Sequence, residues 1–340
     1  MFCRLDYRSG RHLRGASGSA RLLCCLLMFV LVAALLPISS LLSGCKSGAQ
    51  REEVVIGTMI TEDFLPMWVA EQEGIFEQAG MKVQLVAFQS AQELTAALAA
   101  DEIDMAMTDP MVAATLSMGG TEVSLEWVTL GEVAQQGRFG IMTSPQSGVR
   151  TLKDLAGKPI GVGSNTMLEY VMDKLMEGAG VSEDQVIKEE IKKIPVRYEM
   201  MTNNQVAAAV LPASLLYLGE QTGMILVSDD TKGQNLTQSV MIARKGFTDT
   251  DAGKQALENI RSCWDKAVGM VNANPSSYRL LLVEKASLPE LIADDYPISN
   301  YPLAKRPTNA MIDPVLDWML HKGYLEVSLR YDSTTGSFVK

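Results

Sequence analysis

A short polar stretch, Ser164-Asn165-Thr166, carries the side-chain and backbone groups that could hold an anion. It follows residues 159–162, an apolar run that is predicted to be a strand. Thr166 and Glu169 have the spacing of a capping box at the start of a helix. The first turn of a helix offers free N–H groups and a partial positive charge, which suit a carboxylate, sulfonate or phosphate. Plain N-capping explains the same residues, and the two roles are compatible.

Asp109 follows another predicted strand, and its carboxylate would repel an anion. Asp109-Pro110 has the pattern of an N-cap followed by proline in the first helical turn, and capping is the role we favour. If Asp109 faces a ligand, it favours one with N–H donors or a positive charge. Phe64 could stack on a planar ligand. The other candidate ligand-binding residues lie at the ends of predicted strands or in the loops after them: Thr58, Thr61, Thr108 and Pro212.

The residue types that most enzymes use are sparse after residue 44. His321 is the single histidine there and lies near the end of the last predicted helix, where we favour a role at the helix C-terminus. The sequence contains no Gly-x-Ser-x-Gly, no phosphate-binding glycine loop and no Cys/His cluster with zinc-ligand spacing. We therefore expect a binding protein without catalytic residues, cofactor or metal.

The candidate residues occur within a pattern of alternating strands and helices that appears twice. EIDMAMTDP (102–110) and QVAAAVLPA (205–213) hold matching places, each a short strand that runs into a helix start marked by proline. Such alternation predicts two α/β lobes, each with a mostly parallel sheet flanked by helices. Ligands bind beyond the carboxyl ends of parallel strands, so we expect a cleft between the lobes. The predicted segments are 54–135 (lobe 1), 136–240 (lobe 2) and 241–340, a helical return that packs on lobe 1.

The N-terminus has the features of a secretion signal. Five arginines precede an apolar run of 15 residues, 22–36, which is short for a membrane span of about 20 residues. Leu42-Ser43-Gly44-Cys45 then resembles a bacterial lipobox, which implies cleavage before Cys45 and lipidation of its sulfur. We predict a signal peptide at 1–44, a lipid anchor on Cys45 and a tether at 45–53. An ordinary signal peptide and an uncleaved anchor are the alternatives.

The charge balance argues against nucleic acid as a partner. The formal net charge is −10, and removal of residues 1–44 takes away five of 30 basic and one of 40 acidic residues. The remaining 25 basic and 39 acidic residues give −14, and such a surface repels phosphate backbones. We expect a monomer in the cell envelope, outside the cytoplasm and anchored to the membrane by lipid.

Three stretches together resemble the solute-binding proteins of bacterial ABC importers, in particular those for nitrate, sulfonate, taurine and thiamine-pyrimidine precursors. They are IGTMITEDFLPMWVAEQEGIFEQAGMKVQLV (56–86), AALAADEIDMAMTDP (96–110) and TLKDLAGKPIGVGSNTMLEYVMDKLMEGAGVS (151–182). The resemblance implies a two-lobed periplasmic-binding-protein-like fold of type II that closes on a small solute. It also implies delivery to an ABC permease with an ATPase subunit.

The sequence departs from this family pattern in the second lobe. Members often carry Asp where Ala207 stands and an acidic residue where Leu211 stands, so the usual ligand is open to question. A small anion and a planar heterocycle both remain candidates. The family also includes enzymes that build the thiamine pyrimidine, but their histidine and cysteine-rich motif have no counterpart here. A ligand sensor without transport is the other alternative.

Overall fold

The computed structural model describes residues 53–340, which lie within one compact unit. Three predictions concern residues outside this part: the signal peptide at 1–44, the lipid anchor on Cys45, and the tether at 45–53 except for its last residue. Within residues 53–340, no helix combines the length and the apolar character that crossing a bilayer requires.

Five strands form the first sheet: β1 (Val54–Met59), β2 (Val83–Phe88), β3 (Met105–Thr108), β4 (Val123–Leu130) and β10 (Ser239–Arg244). Their order is β2-β1-β3-β10-β4. Strand β1 pairs in parallel with β2 and β3, whereas β10 is antiparallel to both β3 and β4. All residues of β4 are buried, as expected for a strand that is covered on both faces.

The second sheet repeats this arrangement with five other strands: β5 (Phe139–Thr143), β6 (Pro159–Val162), β7 (Ile187–Glu190), β8 (Ala208–Pro212) and β9 (Ile225–Asp229). Their order is β7-β6-β8-β5-β9. Strand β6 pairs in parallel with β7 and β8, and β5 is antiparallel to β8 and β9. One strand in each sheet therefore runs against the other four, and the predicted α/β fold with two mostly parallel sheets is confirmed.

The two antiparallel strands mark the places where the chain changes sheets. The chain leaves the first sheet after β4 and enters the second as β5; it leaves after β9 and returns as β10. The two connections, residues 131–138 and 230–238, therefore run side by side between the sheets. The lobe boundaries that we predicted remain a proposal, because β10 already begins just before the segment 241–340.

The helices flank the sheets, and four of the described helices begin after a residue whose side chain caps the first turn. Side chains of Ser90, Asp109, Thr166 and Thr250 each accept a hydrogen bond from an N–H group of the following turn. The helices are α1 (Leu65–Gln72), α2 (Ile75–Gln78), α3 (Ala91–Ala99), α4 (Pro110–Met118), α5 (Met167–Gly178), α6 (Ile194–Thr202), α7 (Ala213–Gln221), α8 (Lys245–Thr248), α9 (Asp251–Ala273), α10 (Arg279–Lys285) and α11 (Asn309–His321). A hairpin of β11 (Arg330–Asp332) and β12 (Ser337–Val339) ends the chain.

The long C-terminal helices pack on the first sheet. Trp264 of α9 is fully buried, and its ring centroid lies 5.9 Å from that of Trp127 in β4. The Trp264 Nε1–H group donates to the carbonyl oxygen of Pro302 at 3.0 Å, so its one polar group is satisfied within the core. Ile312 and Leu316 of α11 belong to a second buried cluster that includes Leu125 of β4. Burial of these side chains fixes the return segment on the first half of the molecule.

The two halves also meet away from the crossovers. Tyr170 of α5 packs edge-to-face on Trp318 of α11, with ring centroids 5.4 Å apart. Trp318 Nε1 donates to Asp173 Oδ2 at 3.1 Å, and Tyr324 donates to Glu169 Oε2 at 2.8 Å. The N-terminal part of α5 is therefore held against the end of α11, and the two lobes are in contact on this side.

Candidate functional site

A cavity of about 80 Å³ lies where the two connections pass between the sheets. Its wall combines the loop after β1, the end of β4, the first connection, the end of β8 and the second connection. The lining residues are Thr61, Glu62, Asp63, Leu130, Gln136, Gly137, Arg138, Phe139, Pro212, Ala213, Thr237, Gln238 and Ser239. Both sheets thus contribute strand ends to one pocket, which is the place expected for a ligand in this kind of fold.

The loop after β1 brings two carboxyl groups to this cavity. Tyr296 donates to Glu62 Oε1 at 2.8 Å, and Tyr301 donates to the Glu62 carbonyl oxygen at 2.6 Å. Burial and the neighbouring Asp63 raise the pKa of Glu62, and the hydrogen bond from Tyr296 partly opposes this rise. Two buried phenols thus hold the loop and its charge in place.

Asp63 and Gln238 present acceptors without a partner. Asp63 Oδ1 and Gln238 Oε1 are buried and accept no hydrogen bond from any described residue. Burial raises the pKa of Asp63, and contacts with the hydroxyls of Ser239 and Thr61 act in the opposite direction. Gln238 is only 2% exposed. Buried acceptors that lack a partner are costly, so a donor that arrives in the cavity would relieve that cost.

The basic residue of the lining, Arg138, is already engaged by carboxylates. Arg138 Nε donates to Asp229 Oδ2 at 3.2 Å, and Nη2 donates to both oxygens of Glu220 at 3.0 Å. Burial lowers the pKa of Arg138, but the hydrogen bonds to Asp229 and Glu220 outweigh this effect and raise it. Two negative charges therefore surround the single positive charge.

Asp230 links the second connection to the start of β5. Its Oδ1 accepts the N–H of Phe139 at 2.8 Å, and its Oδ2 accepts the Thr237 hydroxyl at 2.6 Å. Asp230 is 1% exposed, and burial raises its pKa to about 7 despite these hydrogen bonds. The carboxyl group thus holds the two ends of the second connection together and against the start of β5.

Two predicted ligand-binding residues, Thr61 and Pro212, do line the cavity. Thr58 and Thr108 lie at neighbouring strand ends; Thr58 is buried and its hydroxyl donates to the Met59 carbonyl at 2.7 Å. Phe64 is fully buried in the first core cluster, with its ring 5.6 Å from that of Trp68. Phe64 thus fills the core in this structure instead of lining the cavity, and a stacking role stays a prediction.

Asp109 is placed as the N-cap of α4. Its Oδ1 accepts N–H groups of Met111 and Val112 at 2.8 and 3.0 Å. Burial raises the pKa of Asp109; the two N–H bonds lower it, and the charge of Asp63 adds a smaller rise. The cap role is confirmed. Asp109 does not line the cavity, so its contact with a ligand stays a prediction.

The stretch Ser164-Asn165-Thr166 opens α5 as predicted, but the chain's own carboxylates occupy its donors. Ser164 donates to Glu190 through both its N–H, at 3.0 Å, and its hydroxyl, at 2.6 Å. The Asn165 N–H donates to Glu169 Oε2 at 2.7 Å, and Thr166 donates to the Gly163 carbonyl oxygen at 2.7 Å. Anion binding here would require Glu190 to move away.

A larger groove of about 520 Å³ lies between α5 and the end of α11. Its charged groups pair with one another: Lys322 Nζ lies 3.0 Å from Asp173 Oδ2, and His321 Nε2 lies 3.3 Å from Glu183 Oε2. It lacks the unpartnered acceptors of the smaller cavity, so we do not treat it as the solute site. Within residues 53–340, no group of three or more His, Cys, Asp or Glu side chains is arranged for a metal ion.

Sequence reasoning missed Glu62, Asp63, Arg138 and Gln238. Glu62 and Asp63 stand in a loop that the strand pattern did point to, so their acidic character was the available signal. Arg138 and Gln238 lie in the connections, where no local pattern marks them. Their place in the cavity follows from the pairing of β5 and β10 with distant strands.

Comparison with known proteins places this architecture in a family. The family model described as "NMT1/THI5 like" matches residues 61–277, well over half of the chain. The chain belongs to the NMT1/THI5-like family. A protein of Bacillus subtilis (strain 168), provisionally named an aliphatic sulfonates-binding protein, is 32% identical over 140 residues. That match covers 37% of this NMT1/THI5-like chain and 40% of the relative, so it spans less than half of the relative's length.

Solved structures show the fold of this NMT1/THI5-like chain. The periplasmic aliphatic sulphonate binding protein SsuA from Escherichia coli superposes with a TM-score of 0.70 at 15% identity, covering 82% of this chain and 94% of that one. The desulfurization enzyme DSZB superposes with a TM-score of 0.65 at 14% identity, covering 82% and 94%. The predicted two-lobed periplasmic-binding-protein-like fold is therefore confirmed.

Proposed function

We propose that this chain is the lipid-anchored, extracytoplasmic solute-binding receptor of an ABC importer. In this proposal it works as a monomer whose lobes close on a small solute, and the closed form delivers the solute to a permease with its ATPase subunit. The cavity at the crossovers carries the proposal, because strand ends of both sheets build it and relative motion of the sheets would open or close it. The names of the similar sulfonate-binding proteins support it.

The resemblance to known solute-binding proteins puts forward two solute classes, a small anion such as a sulfonate or nitrate, and a planar heterocycle such as a thiamine-pyrimidine precursor. The names of the relatives favour the anion. The acidic residues Glu62 and Asp63 favour a solute with N–H donors. An ordered water needs roughly 10–15 Å³ of such space, so a cavity of about 80 Å³ suits a solute of about half a dozen heavy atoms.

An enzyme on the same fold is the second candidate, and the likeness to the desulfurization enzyme DSZB favours it. The two residues best suited to catalysis argue against it. Cys263 is buried at 3% exposure, and burial raises the pKa of its thiol. His321 lies on the other groove beside Glu183. A sensor without transport would bind solute in the same way and would lack a stimulated ATPase.

The test uses the full chain purified from membranes and a panel of small anions, cations and heterocycles. A receptor should melt at a higher temperature with one solute, because binding to the folded state alone stabilises it. The same solute should reduce the radius of gyration in X-ray scattering and stimulate the ATPase of a reconstituted importer. Turnover of the solute would favour the enzyme instead. Mass spectrometry of the purified protein should find an N-terminus at Cys45 with a lipid on its sulfur, and an unmodified Cys45 would refute the anchor.

A further inference from the structure

The hydrogen-bonding capacity of the cavity wall is unbalanced. Arg138 donates to carboxylates of the protein, and the hydroxyls of Ser239 and Thr61 contact Asp63. The Thr237 hydroxyl donates to Asp230, Gln136 Nε2 donates to the Asn300 carbonyl at 3.1 Å, and Gln238 Nε2 donates to the Asn235 carbonyl at 3.4 Å. The groups left without a partner are acceptors, Asp63 Oδ1 and Gln238 Oε1. A solute that enters such a space must therefore bring donors.

The charge of the wall agrees with this imbalance. Glu62 and Asp63 are acidic, and the one basic lining residue is bonded to Glu220 and Asp229. A sulfonate in the cavity would meet no uncommitted cation among the lining residues and would lie beside two carboxyl groups. Bringing an anion there would cost desolvation without an opposite charge to offset it.

The start of α5 is the other place suited to an anion, and its hydrogen-bond donors are also occupied by carboxylates. The donors of Ser164 and Asn165 already bind Glu190 and Glu169. Lys188 Nζ lies 2.5 Å from Glu169 Oε1, so the nearby positive charge is also paired. Both candidate sites thus hold carboxylates where a sulfonate receptor needs free donors.

We propose that the solute is a small cation with clustered N–H donors, an ammonium, guanidinium or amidinium group, held between Asp63 and Gln238. This inference rests on the proposed receptor function and names the solute class of the same cavity. Asp63 supplies the charge from the loop after β1, and Gln238 supplies a neutral acceptor from the second connection. Charge-assisted hydrogen bonds of this kind are stronger than neutral ones, so Asp63 is the main determinant of specificity.

The experiment measures binding of two matched panels to the full chain by calorimetry and by melting temperature. The first panel is methylammonium, guanidinium and acetamidinium chloride; the second is sodium nitrate, methanesulfonate and ethanesulfonate. We expect binding in the first panel. Asp63→Asn, which keeps the shape of the side chain, should weaken that binding at least tenfold, and Gln238→Met should weaken it less. Asp184→Asn makes the same change on an exposed turn outside the cavity and should leave affinity unchanged.

The outcomes separate the solute class from the receptor function. Tighter binding of any anion than of all three cations overturns the cation assignment and leaves the receptor intact. Equal cation affinity in Asp63→Asn and in the unchanged protein also overturns it, because the site would not involve Asp63. If neither panel binds, the cation assignment is overturned, and the receptor function is then decided by the heterocycles of the wider solute panel. A melting temperature of Asp63→Asn close to that of the unchanged protein shows that the variant is folded.

Discussion

At the scale of single residues, Asp230 shows how a buried carboxyl group can make stability depend on pH. Its usual pKa is 3.8, and burial raises the folded-state pKa to about 7. Between these values the folded protein keeps a proton that the unfolded chain has lost. The free energy of unfolding should therefore fall as pH rises from about 4 to 7.

Asp230→Asn should remove this dependence. The amide can still accept the Phe139 N–H, and the Thr237 hydroxyl can turn to accept from the new NH₂ group. Each unit of pKa shift corresponds to about 1.4 kcal/mol. The free energy of unfolding of the variant, relative to that of the unchanged protein, should therefore rise by on the order of a few kcal/mol between pH 5 and pH 8. Melting curves of both proteins at pH 5 and at pH 8 measure this difference in stability. A constant difference across the range, matching the Asp184→Asn control, would contradict the pKa assignment.

At the scale of elements, Asp109 controls the start of α4. Its Oδ1 accepts two N–H groups of the first turn, and loss of such a cap costs about 1 kcal/mol. Asp109→Ala should lower the free energy of unfolding in denaturant by about that amount, whereas Asp109→Asn, which keeps an acceptor, should lower it less. If Asp109 also contacts solute, Asp109→Asn should reduce affinity without this loss. Equal stability of the Ala and Asn variants would show that the cap contributes nothing.

Local spacing predicts the elements better than it predicts the site. Asp109 and Thr166 reveal two helix starts, because each acts on N–H groups two or three residues away. Gln238 and Arg138 could not be found in this way, since β5 and β10 reach their places through pairing with distant strands. The Glu190 partner of Ser164 is 26 residues away and becomes visible only when β6 and β7 pair. Phe64 follows a strand as a ligand contact would, and only the packing around Trp68 assigns it to the core.

At the scale of the whole molecule, ion pairs join the two halves, and in the receptor that we propose they would influence the balance between open and closed forms. Lys322 at the end of α11 pairs with Asp173 of α5 at 3.0 Å and with Glu183 at 2.5 Å. Burial lowers the pKa of Lys322, but these hydrogen bonds outweigh it and raise the pKa. The lysine therefore remains charged and ties the return segment to the second half.

Lys322→Met should shift the molecule towards an open form. We expect a larger radius of gyration without solute and a severalfold weaker apparent affinity, because less of the protein is ready to enclose the solute. Lys174→Met is the matched control, since Lys174 pairs with Glu177 inside the same helix, at 2.8 Å. Scattering and calorimetry on both variants measure the effect. Identical values for the two would mean that this pair does not influence closure.

The insertion of β10 between β3 and β4 affects the order in which the polypeptide folds. A chain that emerges N-terminus first presents β1 to β4 early, but the gap between β3 and β4 stays open until residue 244 has followed. During that interval β3 and β4 both have a bare edge where β10 will pair, and such edges are templates for wrong pairing. The half that is made first is thus the last to be completed, and its assembly must wait until most of the polypeptide is available.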